Sequence, residues 1–502
     1  MNKMDSIKTY VIEQLQYIKF TRDDYQILII ASAIFGLWGL PVILGGIYHQ
    51  DDIYRAISGN YDWYGLGRPI AQEASRVISG SGLVLIDVAP LTQIVSLLLL
   101  SLAATIVASF GLKYYQQRIA FTSILFFLNP FFLYNLYYRF DSIGMALGIL
   151  FVAFAFSLRP LANRYYIIFS SAVLVAGLCS YQPIVNVFIA LVGFELLIVA
   201  FSNRCNELLR ILLLRVSSFV AAYLFYYLTV GLVVSARTER SSLLLFEDGG
   251  IIRAFDNIAR FASYTFDLYA IPSFIMAMCI SILIGLLFSW RNIVADGRKN
   301  IYLLLSMLAV CASLFGPLFL LSSTLVHFRT IPTAMALFAL VTLFFSLRDK
   351  KLDKLALIPI FLVISLSYQI GNVYKNQRNF DDSLIYSIAN EMSMLSTAYD
   401  EVIVTGVNLR PLFTKNAVAE NEIIGKFVKP VTGWQLDGLL MNAGVDGIVF
   451  RWGSEKRKAI SLMKKYRCAN YDTLLKSDRF NIYKSKNLIH VTVGKDRSDF
   501  CV

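Results

Sequence analysis

The feature that most constrains this chain is the repetition of apolar stretches about 20 residues long, each ended by charge. Such stretches begin near Ile27, Val88, Ile119, Ser142, Tyr165, Ile184, Ile211, Phe266, Ile301, Phe328 and Leu355. At 1.5 Å per residue, about 20 residues cover the roughly 30 Å of hydrocarbon in a bilayer. The pattern therefore predicts about eleven transmembrane helices. Hydrophobic residues make up 57% of the 502 and charged residues only 16%, against about 25% charged in soluble domains. A soluble fold would lack the polar surface to cover this much apolar side chain.

The net charge of +12 raises the question of nucleic acid, and the placement of the charges answers it. Lys113 and Arg118, Arg159 and Arg164, Arg204 and Arg210, Arg291, Arg298 and Lys299, and Arg348, Lys350, Lys351 and Lys354 fall in alternate loops. This is the positive-inside pattern of membrane topology rather than a basic binding face. The other loops, 49–87, 137–141, 180–183, 236–265 and 322–327, are longer, acidic, or hold isolated arginines. Lys3, Lys8, Lys19 and Arg22 precede the first run without the order of a cleaved signal. The expected arrangement is a multi-pass bacterial inner-membrane protein with a cytoplasmic segment 1–26. A transmembrane domain 27–373, carrying an outer loop 48–87, comes next. With an odd number of spans, the soluble domain 374–502 lies outside, in the periplasm.

Within that last domain the composition turns soluble. Asp381 to Tyr399 reads as an amphipathic helix, Glu401–Val407 and Gly447–Phe450 as short strands, and Lys456–Tyr466 as a basic helix. Arg479–Tyr483 and Leu488–Val493 read as a hairpin. A small α/β fold is expected. Cys468 and Cys501 lie in this tail and can pair if it faces an oxidising compartment.

The chemistry-bearing residues gather in the outer loops. Asp51 and Asp52 stand directly after the first apolar run. Successive helical residues do not share a face, so one carboxylate can point into a cavity at membrane level while the other stays solvated. Such a carboxylate can accept a proton from a sugar hydroxyl. The plain alternative is that the pair caps the next helix. Arg139 and Asp141 occupy a short turn, where they form either an interfacial ion pair or a phosphate-binding arginine beside an orienting acid. Arg68, His327 and Arg329 are further phosphate candidates, with snorkelling to headgroups as the plain alternative. Gln182, in the turn Tyr181-Gln-Pro183, can bind sugar hydroxyls, although Pro183 suits a helix start. A Walker A loop, an HExxH pair and a GxSxG elbow are all missing from the sequence, and three histidines make a zinc hydrolase a poor fit.

Asp51-Asp52-x-x-Arg55, followed by Gly59, Trp63 and Gly67-Arg68-Pro69, resembles the Gtr-type serotype-converting O-antigen glucosyltransferases, a family of the membrane-embedded GT-C superfamily. The likeness extends through Arg139-Phe-Asp141 to the soluble tail. It implies transfer of glucose, or a related hexose, from undecaprenyl phosphate to lipid-linked O-antigen in the periplasm, modifying lipopolysaccharide. The family's acidic motif falls on Asp51-Asp52, with Asp51 favoured as base, and its second acidic position on Asp141. Arg55, Arg68, Arg139, Gln182, His327 and Arg329 remain as substrate or phosphate ligands. No cofactor is implied: paired carboxylates can hold a divalent metal, but arginines suffice for a monophosphate leaving group. The implied partners are the polyprenyl-linked donor, the glycan acceptor and membrane lipids, with a donor synthase and a flippase upstream and no nucleic acid. A transporter or flippase, or a polymerase, of lipid-linked glycans is the alternative.

Overall fold

The computed structural model describes residues 10, 12–14, 16–160, 163–202, 204–235, 243–244, 247–289, 297–395, 398–451, 456–465 and 471–494. The chain divides into two compact units. One takes residues 1–44, 61–83 and 87–368, and the other takes 45–60, 84–86 and 369–502. The first outer loop of the sequence is thus shared: its acidic start belongs to the second unit and its Trp63–Arg68 stretch to the first.

The first unit is helical. Among the described residues, six helices are long and apolar enough to cross a membrane: Arg22–Gly45, Leu91–Tyr115, Gln182–Phe201, Leu208–Gly231, Pro272–Ser289 and Lys350–Ser393. Four shorter apolar helices, Ser142–Ser157, Arg164–Leu178, Ile301–Ala312 and Ala336–Ser346, stand among them. The eleven runs of the sequence therefore do not all become long spans. The run at Ile119 yields only Ala120–Phe127 and, after the break at Asn129-Pro130, Phe132–Tyr137, because proline cannot continue the hydrogen-bond ladder. The run at Phe266 is divided as well, since Pro272 starts a new helix and the residues before it belong to Gly250–Tyr269.

Polar groups buried among these helices are matched rather than scattered. Arg215 (0% exposed) meets Glu195 (2% exposed) through a two-pronged bond, Nε to Oε2 at 2.8 Å and Nη2 to Oε1 at 2.7 Å. Tyr115 donates to the same carboxylate at 2.7 Å, Tyr166 bonds the guanidinium, and Phe156 lies under it at 4.6 Å. Four helices are pinned by the hydrogen bonds of this one group of side chains. Asp353 does similar work at a helix start, accepting from the backbone of Phe121 and Thr122 at 2.8 and 2.9 Å. Lys113 reaches Asp24 at 2.7 Å.

The second unit contains a four-stranded mixed sheet of order β1-β4-β3-β2, with β1 Glu401–Gly406, β2 Asp472–Lys476, β3 Phe480–Ser485 and β4 Leu488–Val493. β1 runs parallel to β4, and the other pairs are antiparallel. The hairpin expected at 479–493 forms, with arms long enough to leave only Lys486-Asn487 as the turn. Its register pairs Ser485 with Leu488, and Lys486 takes φ +56°, as tight two-residue hairpins require. Gly447–Phe450 is not a full strand: it makes one bridge, Ile448 to Val402, on the free side of β1. Asp381 does not begin a helix either. It lies inside Leu357–Ser393, 37 residues long, in which Gly371, near the change from apolar to amphipathic sequence, stays helical instead of ending the helix. The core of this unit is Val402, Val404, Ile482, Ile489 and Val491 under Leu384, Ile388, Leu436 and Leu440. Ile53 joins it, seated over Gly438, where a Cβ would come within 2.6 Å of the isoleucine. Cys468 and Cys501 lie outside the described residues.

Removing one partner of a buried ion pair strands the other, at a cost of about 3–5 kcal/mol, whereas replacing both with apolar residues is close to neutral. Glu195→Leu and Arg215→Leu should each lower the thermal midpoint of detergent-solubilised protein, and the double variant should recover most of the loss. His490, in β4, is buried and bonded to Thr405 Oγ1 at 2.8 Å. Burial, with a smaller contribution from the positive charge of Arg451, draws its pKa down to about 4. The unfolded chain, near 6.5, then binds more protons between these values. Stability of this unit should be full above about pH 6.5 and fall by up to about 3 kcal/mol as pH drops through 4. His490→Asn should remove that slope in pH-dependent unfolding.

Candidate functional site

The first unit assembles five of the sequence candidates around one turn-rich region. Trp63 and Arg68 come from the segment before helix Pro69–Ser79. Gly67 supplies the left-handed turn (φ +73°) that leads into it, and Pro69 is pre-set for a first helical position. Gly144 lets this helix close on Ser142–Ser157, since a Cβ there would sit 2.6 Å from that of Ala71. Asp141 stands at the N-terminal boundary of Ser142–Ser157 yet makes no side-chain cap bond. Its carboxylate instead accepts from the Trp63 indole Nε1 at 2.5 Å.

Arg68 is held from two sides. Its Nε donates to Gln182 Oε1 at 2.8 Å, and its guanidinium lies 5.0 Å from the centre of the Tyr181 ring. Burial draws its pKa below the usual arginine value; Tyr181 and Asp141 oppose that shift and Arg329 adds to it. Asp141 and Arg329 are therefore both in electrostatic range of Arg68. Arg329 donates to Tyr138 Oη at 3.2 Å, and its backbone carbonyl accepts from the Tyr181 hydroxyl. The His327 ring packs against Tyr134 at 4.3 Å.

Gln182, read from the sequence as a contact for sugar hydroxyls, has partners within the protein. Its amide donates to the Leu66 carbonyl and the Tyr226 hydroxyl, both at 2.9 Å, while its carbonyl fixes Arg68. It positions an arginine. Arg139 is turned to Asp87, at 3.1 Å. Tyr181, Tyr138 and Tyr226 were not singled out from sequence, because an aromatic beside an apolar run looks like any interfacial belt residue. Beside this cluster, Ile70, Ala74, Val77, Ile78 and Ile143, with Glu73 at the edge, line an open groove of about 480 Å³.

Asp51, Asp52 and Arg55 belong to the second unit. Asp51 is the boundary residue of helix Asp52–Ser58 but makes no side-chain cap bond. Asp52 is fully buried and accepts from the His49 backbone at 3.2 Å. His49 Nδ1 lies 2.5 Å from the hydroxyl of Tyr374 on the long helix, and both residues are buried. In the same unit Asp437 is gripped by Arg451 through two bonds of 2.7 and 2.8 Å. No three-residue His, Cys, Asp or Glu group able to hold a metal occurs among the described residues.

Guanidinium groups packed against tyrosines, next to a carboxylate, suit the binding of an anionic group, here on a scaffold of apolar helices. Residues 40–344 match the family model described as glucosyl transferase GtrII, and the chain belongs to that family of glucosyl transferases. It is also 26% identical over 481 residues to an uncharacterized 55.3 kDa protein in the gtrB 5′ region of Salmonella phage P22, a match covering 91% of this chain and 97% of that protein. No solved structure matches it.

Gln182→Leu should leave Arg68 Nε, the Leu66 carbonyl and the Tyr226 hydroxyl without this partner. The expected loss of thermal stability is about 1–3 kcal/mol. Gln182→Glu, which keeps an acceptor for Arg68, should lose less in the same melt.

Proposed function

We propose that this chain is a multi-pass inner-membrane enzyme that transfers glucose, or a related hexose, from undecaprenyl phosphate to lipid-linked O-antigen in the periplasm. The observation that carries the reading is the Arg68–Arg329–Asp141 cluster beside an apolar groove, in a chain of the glucosyl transferase GtrII family. The groove fits a polyprenyl chain, and the arginines fit its phosphate. In the reaction the acceptor hydroxyl attacks the anomeric carbon as the bond from that carbon to the phosphate oxygen breaks. The phosphate leaves with the bonding electrons and the hydroxyl proton passes to a carboxylate. Asp51 is the base in this reading, with Asp52 beside it. Arg68 and Arg329 stabilise charge that grows on the phosphate as the bond breaks, which lowers the barrier rather than merely tightening binding. Arg55, Arg139 and His327 are secondary ligands, and no metal is required.

A transporter of lipid-linked glycan would need ionisable residues inside the membrane, and Glu195 with Arg215 supplies such a pair. Their bidentate bond and two tyrosine partners leave them engaged with each other, which favours a structural role.

The test is glucosylation in membranes carrying the variants. Asp51→Asn should lower activity by about 100-fold or more, the scale of lost general-base catalysis, with insertion and thermal midpoint unchanged. Arg68→Leu and Arg329→Leu should also lower it. Full activity in Asp51→Asn, Asp52→Asn and the double variant would remove the aspartates from the chemistry.

A further inference from the structure

The helix Gly250–Tyr269 has three faces where a soluble helix has two. Ala254, Asn257, Phe261, Thr265 and Leu268 are buried against the protein and fall within about 80° of arc at 100° per residue. Arg253, Asp256, Arg260 and Asp267 form a charged stripe about 60° wide. The remaining face is apolar and bare: Ile251 is 67% exposed, Ile252 69%, Phe255 67% and Phe266 71%.

The next helix along the chain decides what covers this face. After Ala270-Ile271 the chain enters Pro272–Ser289, one of the six helices apolar enough to cross a membrane, with Ile275, Met276, Leu283 and Leu287 outward. Its 18 residues give about 27 Å, only just the hydrocarbon thickness. Pro272 must therefore sit at the bilayer boundary, and Tyr269 close to it. The helix 250–269 cannot continue into the hydrocarbon with a charged stripe along one side. Nor can it stand in water without leaving a row of large apolar side chains bare.

We propose that Gly250–Tyr269 lies flat in the interfacial zone of one leaflet, its Ile251–Phe255–Phe266 face sunk among the upper acyl carbons and its charged stripe among the headgroups. Such helices bury about 5–10 Å into this boundary. The occupant of the apolar face is the lipid itself. The inward face has a second role. Asn257 Nδ2 donates to the carbonyls of Phe319 and Leu321 at 3.1 and 3.3 Å and to Thr324 Oγ1 at 3.3 Å. Tyr269 donates to the Ala334 carbonyl at 2.8 Å, and Tyr264 packs on Phe328 at 5.2 Å. The loop that carries His327 and Arg329 is thereby tied to a helix floating at headgroup depth, the level at which a lipid-borne phosphate travels. The inference rests on the membrane reading of the chain and is independent of which sugar it transfers.

The experiment is depth-dependent tryptophan quenching in the full-length protein, reconstituted in phosphatidylcholine–phosphatidylglycerol vesicles carrying a nitroxide at a shallow or a mid-bilayer acyl carbon. Emission added by Phe255→Trp and Phe266→Trp, relative to the parent, should be lost most to the shallow nitroxide and little to aqueous acrylamide. Emission added by Arg260→Trp, in the charged stripe, should show the reverse. The idea fails if the two aromatic-face variants are quenched most by the mid-bilayer label. It also fails if acrylamide quenches them as it does Arg260→Trp, or if neither quencher reaches them, which would mean that a second copy or another protein covers the face. Activity of each variant, measured in the same vesicles, separates a failure of this helix from a failure of the transferase reading.

Discussion

The two-pronged bond between Glu195 and Arg215 is the constraint around which the apolar unit is organised. In an environment without water, two full charges are tolerable only if each satisfies the other and the leftover donors and acceptors are also used. Tyr115 and Tyr166 do that here, and Phe156 closes the remaining face. These partners come from separate helices, so the pair fixes which helices are neighbours. Apolar side chains alone would fix this less sharply, because lipid offers them almost the same surroundings as a neighbouring helix does. With those neighbours set, the turns 138–141 and 181–182 at the starts of two of these helices are fixed, and the segment 63–68 joins them through the bonds of Trp63 to Asp141 and of Arg68 to Gln182.

Much of this was legible in the sequence. The apolar runs announce a helical membrane-type unit, and the change of composition near residue 374 announces a second fold. The hairpin is read from the arms 479–483 and 488–493 around residues 484–487, of which the structure leaves only Lys486-Asn487 as the turn. The first-loop pattern from Asp51 to Pro69 points to the glucosyl transferase family, which the match over residues 40–344 bears out. What was not legible depends on long-range pairing. Glu195 and Arg215 are isolated charges within apolar runs of the sequence, and nothing local says that they meet. Nothing local in the sequence says that Gln182 bonds Arg68, Leu66 and Tyr226, which are distant in the chain. The division at Pro272 escapes a reading by hydropathy because apolar residues continue on both sides of the proline.

Asp51 and Asp52 belong to the second unit, and Arg68, Arg329 and Asp141 belong to the first. Arg68 is held by Gln182 and Tyr181, while the Arg329 guanidinium donates to Tyr138 and its backbone carbonyl accepts from the Tyr181 hydroxyl. In the proposed transfer, such pre-positioned charge would lower a barrier in which negative charge grows on a departing phosphate. Asp51 stands at a helix boundary without making a side-chain cap bond. The same holds for Asp141, whose carboxylate goes to an indole.

If this scaffold adds a hexose to a surface glycan, the glycan itself must carry the record. Mass spectrometry of the O-antigen repeat, from isogenic bacteria that carry or lack the chain and are supplied with the lipid-linked donor, reads that record. A gain of one hexose per modified repeat is expected only where the chain is present. An identical repeat in both, with the protein inserted and abundant, would contradict the transferase reading.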